Sequence, residues 1–319
     1  MIVLPGILLL MVCSRSSFAG VPNECDRLAS YPNDVERVLA KAEFLKAATP
    51  AAVAACREAL REHPDSPRYR VQMSYALLMQ VDRPRPHMEA ISLLFSAVDE
   101  GYAAAELLLA LLIRAGEVPA SPSEFRQSPA VPFEPYPPAA AFELLKSAAD
   151  KGNPIAMQEL AIEYSNLGGF LHSPTSSRYE RARQWAGRLV QMGHWSGKAF
   201  AAAVVLWSPS GSADRRQAVE TLTDLAGLGS CTAMHFLGRY LLFNAETLDL
   251  GGSIRANPVA LNLIRQAAAN GYSRALRTYG RLYSPLGAFD LNVKTAVYWM
   301  KRADDADLRG LNAIMSCRL

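Results

Sequence analysis

The sequence predicts an all-α fold built of stacked helix pairs, and two observations support this prediction. The first is a repeated pattern of small residues around five glycines. The second is the spacing of apolar residues between those glycines, in steps of three and four, which places them on one face of a helix. Apolar residues make up 50% of the 319-residue chain, which is enough to build a continuous core.

The repeat has five near-complete copies, each with an anchoring glycine and three further small positions. The anchors are Gly101, Gly152, Gly193, Gly229 and Gly271. An alanine lies eleven residues before each anchor, at Ala90, Ala141, Ala182, Ala218 and Ala260. Small residues follow at four and nine residues, namely Ala105, Ala156, Gly197, Ala233 and Ala275, then Ala110, Ala161, Ala202, Gly238 and Gly280. A looser sixth copy runs from Ala296 to Ala313, with Ala303 before the turn.

Each copy is interpreted as two antiparallel helices joined at the glycine. In the stretch AAAFELLKSAADK the apolar residues share one helical face, at Ala141, Leu144, Leu145, Ala148 and Ala149. Glycine ends this helix because it adopts the left-handed conformation at low cost. Pro154 then lies in the first turn of the next helix, which ends at Gly168 and Gly169. A single helix pair cannot bury its apolar face, so the pairs are expected to stack.

This repeat resembles the Sel-1-like repeat, a relative of the tetratricopeptide repeat, over residues 88 to 313. Residues 33 to 66 resemble a plain tetratricopeptide unit. Leu39 and Ala40 match its first helix, Ala52 and Ala59 its second, and Pro64 the proline that ends it. Residues 67 to 87 supply the next first helix. The resemblance implies a right-handed α/α superhelical solenoid of about seven helix pairs, with a tetratricopeptide-like unit at 20–87 and Sel-1-like repeats at 88–319.

The same resemblance implies a non-enzymatic scaffold or adaptor of the bacterial cell envelope, which binds a partner protein or peptide in its concave groove. A second interpretation is a periplasmic regulator that restrains a membrane sensor or a signalling or secretion system. A third, from another class, is an enzyme or enzyme-supporting protein acting on peptidoglycan or a polysaccharide. For that class the candidate groove residues are Glu159, Glu163 and Trp195, which are scattered along the sequence.

No catalytic residue, metal site or cofactor is predicted. None of the five histidines has a second ligand at helical spacing, namely His63, His87, His172, His194 and His235. The sequence contains no HExxH, GxSxG, P-loop or paired CxxC motif. A repeat solenoid also lacks the enclosed pocket that excludes water from most reactions. We therefore expect binding rather than enzymatic activity.

Residues 1–19 are predicted to be a secretory signal peptide, cleaved after Ala19. The apolar run from Ile2 to Cys13 is about half the length that a membrane-spanning helix needs. Ser17 and Ala19 are the small residues that signal peptidase reads, although no Lys or Arg precedes the run. The mature protein is expected to be periplasmic or secreted, not membrane-spanning, and near neutral in charge, which gives no support for nucleic-acid binding.

Four cysteines remain in the mature chain, where an exported protein meets an oxidising compartment. By resemblance to a group of exported bacterial repeat proteins, Cys25 and Cys56 are expected to form a disulfide that staples the N-terminal segment to the first repeat. Cys231 and Cys317 are expected to be buried or free thiols. Stacked helices are 8–10 Å apart per step, so these two pair only if the C-terminal tail folds back.

The longest insertion, residues 117–138, contains seven prolines in 22 residues and is expected to run extended. It is either a strap across the groove or a solvated loop between units. Shorter insertions at 165–177 and 244–257 are expected to lengthen turns on the outer edge.

Groove-facing positions are expected six and ten residues after each anchor, because the helices that follow the anchors line the concave side of such repeats. They are Leu107, Leu111, Gln158, Ile162, Ala199, Ala203, His235, Arg239, Arg277 and Arg281, with Arg37, Lys41, Val71 and Tyr75 as equivalents upstream. Arg274 extends the basic C-terminal end of this groove. Two interpretations stay open: a site for an acidic or C-terminal carboxylate peptide held by arginine, or arginines that solvate an exposed helix face.

Overall fold

The structure is a computed structural model that describes residues 22–39, 47–80, 88–118, 139–165, 176–243, 257–283 and 292–308. In this part of the chain all regular secondary structure is helical, which confirms the all-α prediction. The helices are α1 (Glu24–Ala29), α2 (Pro50–Glu62), α3 (Pro67–Leu78), α4 (Met88–Asp99), α5 (Ala103–Arg114), α6 (Ala139–Asp150), α7 (Pro154–Ser165), α8 (Ser176–Gln191), α9 (Gly197–Trp207), α10 (Ser212–Gly227), α11 (Cys231–Phe243), α12 (Pro258–Ala269), α13 (Ser273–Leu282) and α14 (Val293–Leu308).

From α3 onward the helices alternate between two kinds and form six antiparallel pairs. Odd-numbered helices, here called inner helices, are buried on nearly all sides, as α5 and α7 show. Even-numbered helices, here called outer helices, bury a single face. Each inner helix packs between two outer helices, and α9 also contacts the inner helices α7 and α11. The pairs therefore stack as a solenoid; its right-handed sense stays a prediction.

The five anchor glycines end the outer helices in the way that the repeat predicted. At Gly152 the backbone has a φ of 92°, a conformation that costs glycine little and other residues much more. The next amide, that of Asn153, donates to the carbonyl of Ala148 at 3.0 Å, which closes the helix end. The other four anchors share the positive φ, namely Gly101, Gly193, Gly229 and Gly271.

The small repeat positions mark places where two helix backbones approach closely. A methyl group added at Gly197 would lie 2.7 Å from the backbone nitrogen of Val190 in the preceding outer helix. One added at Gly238 would lie 2.9 Å from the carbonyl oxygen of Ala260. The alanines of the repeat are buried at the equivalent places, as Ala105 and Ala156 show. The small residues of the sequence repeat therefore serve the packing of neighbouring helices.

The N-terminal unit differs from the tetratricopeptide unit predicted for residues 33–66. Its second helix is present as α2, and Ala52 and Ala59 are buried there. The predicted first helix is wrong in its described part, because residues 30–39 are not helical; Ala40 lies outside the described residues. The six-residue helix α1 packs against α2 and α3 instead. The predicted disulfide Cys25–Cys56 is present and joins α1 to α2.

Cys231 corrects a second expectation. It is buried on α11, but it is disulfide-bonded rather than a free thiol. Cys317 lies outside the described residues, as do the predicted signal peptide 1–19, residues 119–138 of the proline-rich insertion, and residues 166–175 and 244–256 of the shorter insertions.

The solenoid closes on itself across its interior. Helix α14, the last described helix, contacts α5, and Arg274 of α13 forms an ion pair with Glu159 of α7. These contacts join helix pairs that are separated by several units in sequence. Helix pairs that are distant in sequence are consequently linked to one another.

Candidate functional site

The predicted apolar part of the groove lies under other parts of the chain. Val71 and Tyr75 on α3 and Leu107 on α5 are buried, and Leu111 is half-buried. The ring of Tyr75 packs against the ring of Tyr31, with their centroids 5.2 Å apart. These positions are covered by the protein itself, and their predicted place on the groove side stays a prediction.

The covering residues include Tyr31–Asp34, which we call the YPND segment. It is buried and non-helical, and it spans three successive inner helices. Beyond the Tyr31 ring on α3, the hydroxyl of Tyr102 at the start of α5 donates to Asp34 Oδ2 at 2.7 Å. The side-chain amide of Asn153 at the start of α7 donates to the carbonyl oxygen of Asn33 at 2.9 Å.

Two residues predicted to line the N-terminal end of the groove follow the YPND segment. Arg37 is exposed, and its guanidinium donates to the carbonyl oxygen of Pro32, so it supports the fold of the segment. Lys41 lies outside the described residues. The basic N-terminal end of the groove is therefore represented in the structure by Arg37 alone among the described residues.

Asp34 is an acid in an unfavourable place for its charge. Burial raises the pKa of its carboxyl from 3.8 to about 6, against the lowering effect of the hydrogen bonds from the Tyr102 hydroxyl and the Glu36 amide. The neighbouring Glu36 carboxylate raises this pKa further and Arg37 lowers it. Burial and the Asp34 charge in turn raise the pKa of Tyr102, so its hydroxyl stays protonated and keeps its role as a donor.

The basic residues predicted on α11 and α13 do come together. Burial lowers the pKa of His235 well below its ordinary value, and Arg239, Arg274 and Arg281 lower it further through their charge. His235 is therefore neutral at physiological pH, and its Nε2 shares a hydrogen bond of 2.9 Å with the hydroxyl of Thr278. Its Nδ1 is buried and has no hydrogen-bond partner in the described part of the chain.

The arginines of this cluster also act on one another. Burial lowers the pKa of Arg239 to about 10, with further lowering by the charges of Arg281 and Arg274. Its guanidinium lies over the ring of Trp207, 5.6 Å from the centroid. Burial and the charge of Arg277 lower the pKa of Arg281. We call His235, Arg239, Arg274, Arg277 and Arg281 the basic cluster.

Glu159 on α7 is a buried carboxylate that pairs with Arg274 and Arg114. Burial would raise the pKa of its carboxyl, but the guanidiniums of Arg274 and Arg114 outweigh burial and lower this pKa from 4.5 to about 2. Arg114 also reaches Glu163, at 3.0 Å. Arg274, predicted as part of the peptide site, is thus engaged by the protein's own carboxylate. Neither the sequence spacing nor the repeat register pointed to this ion pair.

These ion pairs bear on the polysaccharide-enzyme interpretation. A glycosidase needs a general acid whose pKa is raised, whereas the pKa of Glu159 is lowered and Glu163 is paired with Arg114. Trp195 lies against the ring of His194, with centroids 5.0 Å apart. In the described part of the chain, no contact brings Glu159, Glu163 and Trp195 into one cleft with a carboxyl whose pKa is raised.

Within the described ranges, no group of three His, Cys, Asp or Glu side chains has the arrangement of a metal site. Burial lowers the pKa of His194 to about 4, and its Nδ1 shares a 2.9 Å hydrogen bond with the buried hydroxyl of Ser196. None of the described helices combines the length and apolar character that crossing a membrane requires.

Comparison with known proteins gives structural likeness only. No protein-family profile matches the chain, and no curated protein matches it. A protective antigen of uropathogenic Escherichia coli with an SLR fold has 17% identity and a TM-score of 0.44, and the match covers 90% of this chain but 56% of the antigen. A Sel1 repeat protein from Oxalobacter formigenes has 20% identity, a TM-score of 0.42, and coverage of 80% and 94%.

A third similar structure is an immunity protein from Pseudomonas aeruginosa, with 16% identity, a TM-score of 0.38, and coverage of 82% of this chain and 84% of that one. Two of the three are thus Sel1 or SLR proteins, the type that the repeat in this sequence resembles. The likeness concerns the fold, and the chain's own stacked helix pairs establish its architecture as an all-α solenoid.

Proposed function

We propose that this protein is a non-enzymatic scaffold of the bacterial cell envelope, which binds an acidic segment or a C-terminal carboxylate of a partner protein at the basic cluster. Carboxylates bind arginine through charge-assisted hydrogen bonds, which are stronger than those between neutral groups. Arg239, Arg277 and Arg281 supply such donors from two neighbouring inner helices. Arg274 completes the cluster while it remains paired with Glu159.

One observation carries this proposal: the pKa of Arg239, of Arg281 and of His235 are all lowered by burial together with the neighbouring arginine charges. A lowered arginine pKa means that the surroundings disfavour the guanidinium charge. A carboxylate that approaches the cluster would be attracted by the charges of these neighbouring arginines.

The envelope location is supported by the cysteines. Cys25 and Cys56 form a disulfide, and Cys231 is also disulfide-bonded. Structural disulfides persist in oxidising compartments such as the periplasm and are rare in the cytosol. This agrees with the signal peptide predicted from the sequence for residues 1–19, which lie outside the described residues.

The test compares the wild type with a variant carrying Arg239→Gln, Arg277→Gln and Arg281→Gln. Both are used as bait in an envelope extract, and captured proteins are identified by mass spectrometry. The control carries Arg183→Gln and Arg216→Gln, which removes exposed arginines from the outer helices α8 and α10. Equal helix content by circular dichroism is required of all three proteins.

We expect a partner that the wild type and the control retain and the triple variant loses. A synthetic peptide with the partner's acidic segment or C-terminus should then bind the wild type, and amidation of a terminal carboxylate should weaken it at least tenfold. Equal capture by all three proteins would contradict the proposal that the basic cluster is the binding site.

A further inference from the structure

We propose that the YPND segment is a built-in competitor, and that the surface beneath it binds a turn of a partner protein with an aromatic residue followed three positions later by Asp or Glu; the YPND segment is itself such a turn, closed by the Asp34 amide, which donates to the carbonyl oxygen of Tyr31 at 3.0 Å. This inference rests on the proposed scaffold function but concerns another surface, formed by α3, α5 and α7. We call that surface, with Tyr75, Tyr102 and Asn153 as its contact residues, the YPND-binding surface.

The contacts within the protein define what this surface recognises. The ring of Tyr75 packs against an aromatic ring, with the two centroids 5.2 Å apart. The hydroxyl of Tyr102 donates to a carboxylate oxygen, at 2.7 Å, on the third residue beyond that ring. Between them, the side-chain amide of Asn153 donates to a main-chain carbonyl, at 2.9 Å. Two contacts therefore select side chains, and one holds the backbone of the turn.

The surface is preorganised, so a second peptide could use it without rearrangement. The side-chain oxygen of Asn153 accepts from the amides of Ile155 and Ala156, at 3.0 and 3.1 Å, which fixes the direction of its donor group. Tyr102 and Asn153 both follow an anchor glycine, Gly101 and Gly152, at the start of an inner helix. The repeat itself thus presents donors at a regular spacing along the interior wall.

A short tether keeps the YPND segment on this surface. Helix α1 ends at Ala29, so only Ser30 separates it from Tyr31. The Cys25–Cys56 disulfide fixes this helix to α2. The amide of Gln72 also donates to Asp26 Oδ1 at 2.9 Å. A short tether gives an effective concentration on the order of millimolar, so a free peptide must compete with a locally concentrated rival.

The docked segment is nevertheless poised for release. At neutral pH the buried Asp34 is ionised at a cost, since burial raises its pKa to about 6. The charged groups that act on it are Glu36, which increases the cost, and Arg37, which reduces it; Tyr102 donates from α5. A partner carboxylate in the same place would share the cost of burial, but a segment without an acid two positions after it would avoid the contribution of Glu36 and could therefore replace the YPND segment.

The test uses a fluorescent peptide with the sequence of residues 30–37, SYPNDVER, titrated with the full chain by anisotropy. The chain carrying Tyr31→Ala and Asp34→Ala should bind this peptide at least tenfold more tightly than the wild type, whose surface is occupied. The matched control carries Val35→Ala and Glu36→Ala, both exposed positions, and should behave like the wild type. A peptide with Asn and Asp exchanged, SYPDNVER, should bind the double variant at least tenfold more weakly.

Adding Tyr102→Phe to the double variant removes the donor to the peptide's Asp and should reduce binding severalfold. Absence of peptide binding to a double variant with unchanged helix content would overturn the proposal, as would equal binding by the double variant and the wild type.

If the double variant loses helix content, hydrogen exchange of the wild type tests whether the peptide displaces the YPND segment. Saturating SYPNDVER should speed exchange of the Asp34 and Glu36 amides, which donate to Tyr31 O and Asp34 Oδ1. Unchanged exchange there would refute displacement. Because the peptide assay does not involve the arginines of the basic cluster, its failure and the failure of the envelope capture are separate results.

Discussion

At the scale of single residues, two buried carboxyls show how partners decide the cost of a charge. Asp34 has a hydroxyl and an amide as donors, and burial dominates, so its pKa is raised to about 6. Glu159 has two guanidiniums, which outweigh burial and lower its pKa to about 2. At neutral pH the ionised Asp34 therefore lowers the stability of the folded protein, and the ionised Glu159 raises it.

Asp34→Asn should stabilise the protein at pH 7.5. Because the folded-state pKa of Asp34 is raised from 3.8 to about 6, its contribution to stability is fully present below pH 3.8 and is lost as pH rises through 6. The oxygen of Asn can accept from the Glu36 amide while its NH2 group donates to the Tyr102 oxygen, and no charge is buried, so we expect a gain of about 1–3 kcal/mol in the free energy of unfolding. Urea unfolding at pH 7.5 measures it, and Asp224→Asn, at an exposed position on α10, is the control. A loss of stability in Asp34→Asn would contradict this account.

Glu159→Gln should destabilise the protein by about 3 kcal/mol at pH 7, because Arg274 and Arg114 each lose one charged partner in a buried place, while Arg114 keeps Glu163. The pKa of Glu159 is lowered from 4.5 to about 2, so the wild type loses this stabilisation only as pH falls from 4.5 through 2, and the variant lacks that dependence. Urea unfolding between pH 7 and 3 measures both effects. Glu163→Gln, which removes one ion pair to Arg114, should cost less; equal costs would argue against Glu159 as the main internal anion.

At the scale of helices, the repeat predicted most of the fold because its signals are local. A glycine that must adopt a positive φ, and small residues where two backbones approach, fix the helix ends and the helix pairs within about fifty residues of sequence. The same reasoning was wrong for residues 33–39, the described part of the predicted tetratricopeptide first helix, which are not helical. There the side chain of Asp34 accepts from the Glu36 amide, a local turn that competes with the helix.

Gly197→Ala should destabilise the stack of α8 on α9 by about 1–3 kcal/mol, because the added methyl would lie 2.7 Å from the backbone of Val190, which cannot rotate away. The matched control is Gly187→Ala in the middle of α8, where nothing lies within 4 Å of the added methyl. That change should stabilise by about 0.5–1 kcal/mol through helix propensity. Thermal and urea unfolding measure both, and a neutral Gly197→Ala would mean that the helices are not in close contact there.

The site was less predictable than the fold, since its contacts are distant in sequence. The repeat register predicted His235, Arg239, Arg277 and Arg281 on the groove side, which stays a prediction, and the structure brings them close enough for the arginine charges to act within the group. It gave no indication that Glu159 would pair with a residue 115 positions away, or that Asn153 would bind a carbonyl 120 positions away. Such pairs depend on how the superhelix curves, and no local pattern encodes that curvature.

At the scale of the whole molecule, covalent and ionic links tie separate parts of the chain together. The Cys25–Cys56 disulfide fixes α1 beside α2, and Arg274 joins α13 to α7. Helix α14 contacts α5. The N-terminal cap, the middle pairs and the last pairs are therefore not independent units.

Replacing both Cys25 and Cys56 by serine should lower the free energy of unfolding by about 3–4 kcal/mol, the loop-closure estimate for a sequence separation of 31. The loss should also loosen the YPND segment, because α1 is its tether. Urea unfolding measures the stability, and hydrogen exchange of the Asp34 amide measures the loosening. A variant as stable as the wild type would show that packing alone holds α1.

The ion pair between Arg274 and Glu159 has a consequence for how the molecule comes apart. In a repeat array whose units touch only their neighbours, stability is a sum along the chain, and the terminal units melt before the middle ones. A contact between α7 and α13 adds a cooperative term that depends on both being folded at once. This protein should then respond to heat less like a stack of separable modules and more like a closed ring, which holds as a unit until it fails as one.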